Sequence, residues 1–189
     1  KLVEGIKSDQ FKNIIFMVYE GSSTTAGIPD FRSNTGLFKQ LQEKYNLSSP
    51  EEFFDKRTFL KNPIYFYEFC KIFDLSQIKP TLTHKFINYF ILKNKAKYLF
   101  TQNIDGLEIK AKIPKEKVIF AHGNFLEGHC PRCGKEIDIN YINHGIQEQK
   151  IIYCDKCVNV PCKPHIVFYG ENLPARFNEK IKECKDCAL

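Results

Sequence analysis

The sequence predicts an α/β fold, a parallel sheet interrupted by a helical insertion and by a small cysteine-closed module, and three observations carry that reading. Short apolar runs rich in β-branched residues and ending in polar clusters occur at residues 13–18, 97–101 and 117–121, as expected of buried parallel strands. Aromatic residues at helical spacing fill much of the chain between the first two runs, and two Cys-x-x-Cys pairs follow the third. A chain of 189 residues suits one domain, or one main fold with an inserted module.

Composition sets the outer limits. With 43% hydrophobic and 26% charged residues and 17 phenylalanines, the chain is neither disordered nor collagen-like. No apolar run approaches the roughly 20 residues of a membrane span, and residues 1–10 lack the apolar centre of a signal peptide, so an intracellular protein without membrane contact is expected. The net charge of +6 comes from 28 basic and 22 acidic residues, with lysines scattered rather than blocked. That pattern describes a solvated surface and argues against direct nucleic-acid binding.

Taken in chain order, the strand at 13–18 runs into Gly21-Ser22-Ser23-Thr24-Thr25-Ala26-Gly27, a glycine- and hydroxyl-rich loop where a Rossmann-like fold binds phosphate. Residues 49–73 read as helical: Ser48 or Ser49 caps, Pro50 opens the first turn, and Glu51 and Glu52 favour its positive end. Asn62-Pro63 breaks the pattern, a second amphipathic helix follows, and residues 83–92 make a third. The strands at 97–101 and 117–121 end in Thr101-Gln102-Asn103-Ile104-Asp105-Gly106 and Ala121-His122-Gly123. In an open parallel sheet these clusters emerge beside the loop after Val18, bringing an amide, a carboxylate and an imidazole to one crevice.

Of eight cysteines, all but Cys70 fall from Cys130 onward. In an intracellular chain this spacing favours metal over disulfides. Cys130, Cys133, Cys154 and Cys157 have the spacing of a closed four-thiolate zinc site, with Gly134 relieving the first tight turn. Such a site holds a fold together and leaves no open position for catalysis. A third pair, Cys184 and Cys187, and the single Cys162 leave the ligand set open; the last pair, beyond a strand-like run at 166–169, is expected on an exposed helix.

Gly27-Ile28-Pro29-Asp30-Phe31-Arg32-Ser33, then 101–108, His122-Gly123, the two cysteine pairs and 167–174 together resemble the sirtuins, the NAD-dependent protein-lysine deacylases. The likeness covers the chain from about residue 13 onward in the family's order, and is nearest the class that includes the nuclear and cytosolic deacetylases. It implies a Rossmann-type catalytic domain over 1–189, partial because the family continues beyond this span and so with a sheet incomplete at the C-terminus. It also implies a helical insertion at 36–92 and a zinc-ribbon insertion at 124–164, with NAD and acyl-lysine meeting between large and small parts. NAD and Zn2+ are the implied cofactors, acetyl-lysine proteins such as histones the partners, and nucleus or cytoplasm the location.

The same resemblance implies the roles. His122 is the catalytic base, assisted by Asn103; an imidazole with an ordinary pKa of about 6.5 can accept a proton at neutral pH. Glu20, Gly21, Thr24, Asp30, Phe31, Arg32, Gln102, Asn103, Ile104, Asp105 and His122 line the NAD site. Val167, Phe168 and Tyr169 wall an acyl-lysine tunnel, and Gly170 and Glu171 continue the substrate strand. Where the family has a glycine-alanine-glycine turn this chain has Tyr19-Glu20-Gly21. The added bulk and negative charge beside a diphosphate lead to an expectation of weak NAD binding. Two alternatives follow: a catalytically impaired acyl-lysine-binding protein, and a zinc-ribbon interaction module.

Overall fold

A computed structural model describes residues 2–8, 10–11, 13–28, 37–72, 75 and 77–185. In chain order the elements are α1 (Leu2–Lys7), β1 (Ile14–Val18), α2 (Leu37–Tyr45), α3 (Lys56–Lys61), α4 (Ile64–Ile72), α5 (Leu82–Leu92), β2 (Ala96–Thr101), α6 (Leu107–Lys110), β3 (Val118–Phe120), β4 (Gly123–His129), β5 (Glu136–Ile137), α7 (Ile139–Gln147), β6 (Lys163–Ile166) and α8 (Ala175–Lys182). They divide into two compact units, the first from Lys1–Ile28, Ile78–Gly123 and Leu173–Leu189, the second from Pro29–Gln77 and Asn124–Asn172. None of the helices in the described residues is long and apolar enough to cross a membrane.

The first unit holds the expected parallel sheet, in the order β1-β2-β3. Phe16 pairs with Leu99 and Val18 with Thr101, while Thr101 in turn pairs with Phe120, so all three strands end at one level. One face of the sheet packs Val18, Leu99 and Val118 on Ile87, Phe90 and Ile91 of α5. Ile15, Phe100 and Ile119 turn to the other face, where Phe177 of α8 and Cys184 pack on them. Alternating β-branched and aromatic side chains thus serve a sheet covered on both sides, which is why these strands read as continuous apolar runs. Cys184 follows the end of α8 and packs on the sheet rather than sitting on an exposed helix; Cys187 lies outside the described residues.

The loop after β1 does not run straight into an α-helix. Residues 20–22 and 24–26 form two successive 3-10 turns, each closed by its own backbone bonds, Ser23 N to Glu20 O at 2.8 Å and Gly27 N to Thr24 O at 3.0 Å.

The second unit combines α2, α3, α4 and α7 with a three-stranded sheet in the order β5-β4-β6. The first of the helices expected over 49–73 is split at Asp55. Residues 50–54 are a 3-10 turn, and the Asp55 carboxylate accepts from Thr58 N at 2.7 Å to cap α3. The break has a second cause: the Phe54 carbonyl accepts from Tyr169 N at 2.7 Å, so the backbone there serves a bridge between Asp55 and Tyr169. The apolar run at 166–169 is correspondingly shifted as a strand, with β6 ending at Ile166. Phe54, Phe59, Phe66, Phe69 and Phe168 form the aromatic core, with edge-to-face pairs such as Phe66–Phe168 at 4.8 Å and Phe54–Phe69 at 5.0 Å.

Phe66 is 1% exposed and touches four of these rings. Phe66→Ala is expected to lower the unfolding free energy by about 3–5 kcal/mol, read by urea denaturation; a loss below about 1 kcal/mol would show that the rings repack without it.

Candidate active site and four-cysteine cluster

Because β1, β2 and β3 are parallel and in register, residues 19–28, 102–106 and 121–122 leave the sheet at the same edge. Backbone bonds tie the exits together: Gln102 N donates to Val18 O at 2.9 Å and Ala121 N to Thr101 O at 2.8 Å. Asn103 is 8% exposed, and its amide nitrogen donates to Ser22 Oγ at 2.9 Å and Ser23 Oγ at 3.0 Å. Its own N–H goes to Thr101 Oγ1 at 3.1 Å. The amide is thereby oriented, with both N–H donors committed to the loop and its carbonyl oxygen turned elsewhere. Asp105 is buried, one oxygen accepting from Leu107 N at 2.8 Å at the start of α6. Gln102 is exposed and Ile104 half-buried.

His122 is half-buried, with Nδ1 3.0 Å from the Gln102 carbonyl. A carbonyl oxygen only accepts, so Nδ1 carries the ring proton and Nε2 keeps its lone pair in the neutral imidazole. The same strand end that presents Gln102 therefore selects the tautomer a base requires.

Glu20, Gly21 and Thr24 lie in the loop after β1, all exposed, as is Tyr19 at 63%. Asp30, Phe31 and Arg32 lie outside the described residues. Sequence reasoning singled out Thr24 in this loop and passed over Ser22 and Ser23, the hydroxyls that hold Asn103. Four hydroxyl residues in a row gave no sign of which would be buried; Ser23, at 2% exposure, is fixed by the 3-10 turns.

In the second unit, the sulfurs of Cys130, Cys133, Cys154 and Cys157 all lie within 4.8 Å of one another. The Cys133–Cys154 separation is 3.8 Å, far beyond a disulfide. It equals the edge of a tetrahedron built on zinc–sulfur bonds of about 2.3 Å, which is about 3.8 Å. Each knuckle is closed by backbone bonds, Gly134 N to Cys130 O at 2.9 Å and Val160 N to Cys157 O at 3.1 Å, and Gly134 takes φ 70° at the turn. Lys135 Nζ reaches Asp155 at 2.6 Å, joining the two knuckles. Cys162 is outside the group: it is buried, burial pushes its thiol up to about 12, and its carbonyl accepts from Tyr67 Oη at 2.8 Å. The residues present fit a closed structural zinc site.

The 167–171 segment is built around an internal ion pair. Phe168 is 1% exposed and sits among the aromatic rings, while Val167 is half-buried and Tyr169 54% exposed. Glu171 Oε2 accepts from Phe168 N at 2.9 Å and from Lys163 Nζ at 3.1 Å, and Lys56 Nζ is 3.6 Å from Oε1. Lys163 is fully buried, also donates to the Ile166 carbonyl, and lies 4.2 Å from the centre of the Phe168 ring. Burial pushes its ammonium down to about 8 against the pull of Glu171. Burial alone would raise the Glu171 carboxyl, but the Lys163 charge and the Phe168 N–H outweigh it and hold it below its ordinary value. Glu171 thus closes a turn at Gly170, φ 85°, in which its own N–H donates to Phe168 O at 2.9 Å, next to the bridge that Tyr169 makes with Asp55.

A parallel sheet with an amide, a carboxylate and a base-ready imidazole at its carboxyl edge, together with a four-cysteine module, matches a known family. The chain belongs to the Sir2 family, whose pattern it matches over residues 20–189. It is 41% identical over 191 residues to the NAD-dependent protein deacetylase hst2 of Schizosaccharomyces pombe, covering 100% of this chain and 57% of that one. It is 43% identical over 180 residues to the NAD-dependent protein deacetylase sirtuin-2 of Danio rerio, covering 94% and 47%. With the NAD-dependent deacetylase sir2A of Dictyostelium discoideum it shares 42% over 187 residues, 97% of this chain and 36% of the relative. The chain therefore spans between about a third and somewhat over half of these curated relatives.

Removing the anion beneath Lys163 leaves an unpaired buried charge. Glu171→Gln is expected to cost about 3–5 kcal/mol of stability, whereas Lys163→Met, which removes the charge that needs pairing, should cost clearly less. Denaturant melts of the two variants check this; equal losses would show that the pair acts only through packing.

Proposed function

We propose that the protein is an NAD-dependent protein-lysine deacetylase that moves the acetyl group from lysine to ADP-ribose and releases nicotinamide. The observation that carries the reading is His122, held by the Gln102 carbonyl with no partner for Nε2 among the described residues, at the same sheet edge as Asn103 and Asp105. Family membership and relatives that are NAD-dependent deacetylases support it.

On this reading the loop from 20 to 28 holds the diphosphate, with Glu20, Gly21 and Thr24 nearest it and Asp30, Phe31 and Arg32 closing the nicotinamide side. Asn103 and Asp105 hold the ribose and the carboxamide, flanked by Gln102 and Ile104. His122 Nε2 would accept the proton of a ribose hydroxyl held beside Asn103 and Asp105, leaving that oxygen nucleophilic toward the acyl group. NAD supplies the electrophilic sugar carbon; the residues supply orientation, exclusion of water and the proton acceptor. Val167 and Tyr169 would flank the acyl-lysine, with the Phe168 ring as their buried support. The backbone of 167–169, with Gly170 and Glu171 at its turn, would carry the substrate strand. Substrates are acetyl-lysine proteins, histones among them, and nucleus or cytoplasm is the proposed location. Cys130, Cys133, Cys154 and Cys157 bind one structural zinc ion.

A second reading rests on Tyr19 and Glu20: with bulk and negative charge at the diphosphate loop, the protein binds acyl-lysine peptides but turns over slowly.

His122→Ala is expected to lower deacetylation of an acetyl-lysine peptide by about 100-fold or more while leaving the thermal melt in place; activity within a few-fold of wild type would refute the role. Calorimetric titration should show NAD binding weaker than micromolar, improved by Tyr19→Gly with Glu20→Ala; unchanged affinity in that variant would clear the loop. Metal analysis should return one zinc per chain, lost in Cys154→Ser together with much of the second unit's stability.

A further inference from the structure

The first unit buries a cluster of ionisable groups that the proposed reaction does not use as such. His84 and Glu108 are 0% exposed and Asp105 is 5% exposed, and one ligand atom from each lies within 4.8 Å of the others. Among the described residues, His84 Nε2 and both Glu108 carboxylate oxygens have no hydrogen bond of normal geometry; the Thr101 hydroxyl bears on the carboxylate. The cations on the elements packed here, Lys85 of α5, Lys110 of α6 and the following Lys112, are all exposed. Glu20 is exposed as well, and His122 is engaged with Gln102 O. Two carboxyl groups and an imidazole thus share a buried space, and the cations of the described residues on these elements face outward. Such a cluster needs a proton or a cation.

The cluster also forms the floor of the candidate site. His84 Nδ1 is held by Thr81, whose backbone N–H is 3.2 Å away and whose hydroxyl is 2.8 Å away. That hydroxyl donates to Ser22 O at 2.9 Å, and Ser22 Oγ receives the Asn103 amide. On the other side Asp105 is itself a member. Asp105 therefore belongs to this group, and Asn103 rests on it through Ser22 and Thr81.

We propose that His84 and Glu108 are positioning residues that work as a buried one-proton pair, a neutral imidazole beside a neutral carboxyl, fixing the Ser22–Asn103 and Asp105 geometry beneath the nucleotide. Burial, then the charge of Asp105, pushes the Glu108 carboxyl up to about 7, and burial pushes the His84 imidazole down against the charge of Asp105. In the unfolded chain between the ordinary values of 4.5 and 6.5 the same proton sits on the imidazole. Folding moves it to the carboxyl and cancels both charges, so the pair's net proton count hardly changes across that window.

The signs give the test. Glu108 binds its proton more tightly when folded, so its contribution to stability is complete below about 4.5 and is lost as pH rises through about 7. His84 binds its proton less tightly when folded, so its contribution is present above about 6.5 and is lost as pH falls. Urea melts of the full chain from pH 4.5 to 7.5 should show the difference between wild type and Glu108→Gln shrinking as pH rises. The difference between wild type and His84→Gln should shrink as pH falls, each with a slope approaching one proton. Parallel or flat differences overturn the proposal. The infrared spectrum of wild type at pH 6 should carry a protonated-carboxyl band that Glu108→Gln removes, which decides the matter even if the histidine variant does not fold. Absence of the band, or a second metal equivalent retained besides the four-cysteine ion, overturns it.

The catalytic link rests on the deacetylase reading. Glu108→Gln is expected to keep activity within a few-fold and to flatten its pH profile near 7, whereas Glu108→Ala should raise KM for NAD at least tenfold. Equal KM in both variants overturns the positioning role. Lack of turnover in wild type would count against the deacetylase reading alone, since the melts and the spectrum need no NAD.

Discussion

Everything at the candidate site depends on three parallel strands ending level. Val18, Thr101 and Phe120 share one register line, so three loops that are distant in sequence begin side by side, those after β1 and β3 each one strand spacing from the loop after β2. A slip of one residue in β2 would turn Leu99 away from α5 and carry Gln102 out of reach of His122. The imidazole's tautomer, the Asn103 amide and the Asp105 carboxylate are consequences of that alignment, and the core residues that enforce it, Leu99 and Val118 on one face and Phe100 and Ile119 on the other, are as much a part of the site as the polar groups.

The second unit solves a different problem with similar economy. Its aromatic core is large, and the segment that follows β6 must seat Phe168 in that core and then turn away at Gly170. Glu171 accomplishes this by accepting both a backbone N–H and the buried Lys163 ammonium, so that one carboxylate ends the strand and satisfies a charge that would otherwise be stranded. The cost of burying the pair is met by the rings around it, and the Phe168 face below the ammonium adds a favourable contact.

Much of this was legible in the sequence, and the legible parts share a cause. The strands at 14–18, 96–101 and 118–120, helix α5 and the four-cysteine group announce themselves because period, β-branching and spacing are local properties. The less legible features depend on partners remote in sequence. The split at Asp55 needs Tyr169, 114 residues on, to claim the Phe54 carbonyl. Ser22 and Ser23 became anchors only once Asn103 arrived from β2. His84, seen from its neighbours alone, had no context; its meaning comes from Asp105 and Glu108 across α6, contacts no spacing rule reaches.

The two cysteine knuckles carry a consequence for how the protein lives in a cell. Each turn is closed by its own main-chain bonds, and Lys135 clasps Asp155 across them, so the ligands are arrayed by the fold itself. An ion that recognises only this arrayed form enters the folding equilibrium as a mass-action partner. With zinc in the four-cysteine group as proposed, the cellular level of that ion would act as a thermostat on how much of the chain is intact, and starvation for it would deplete the protein through turnover.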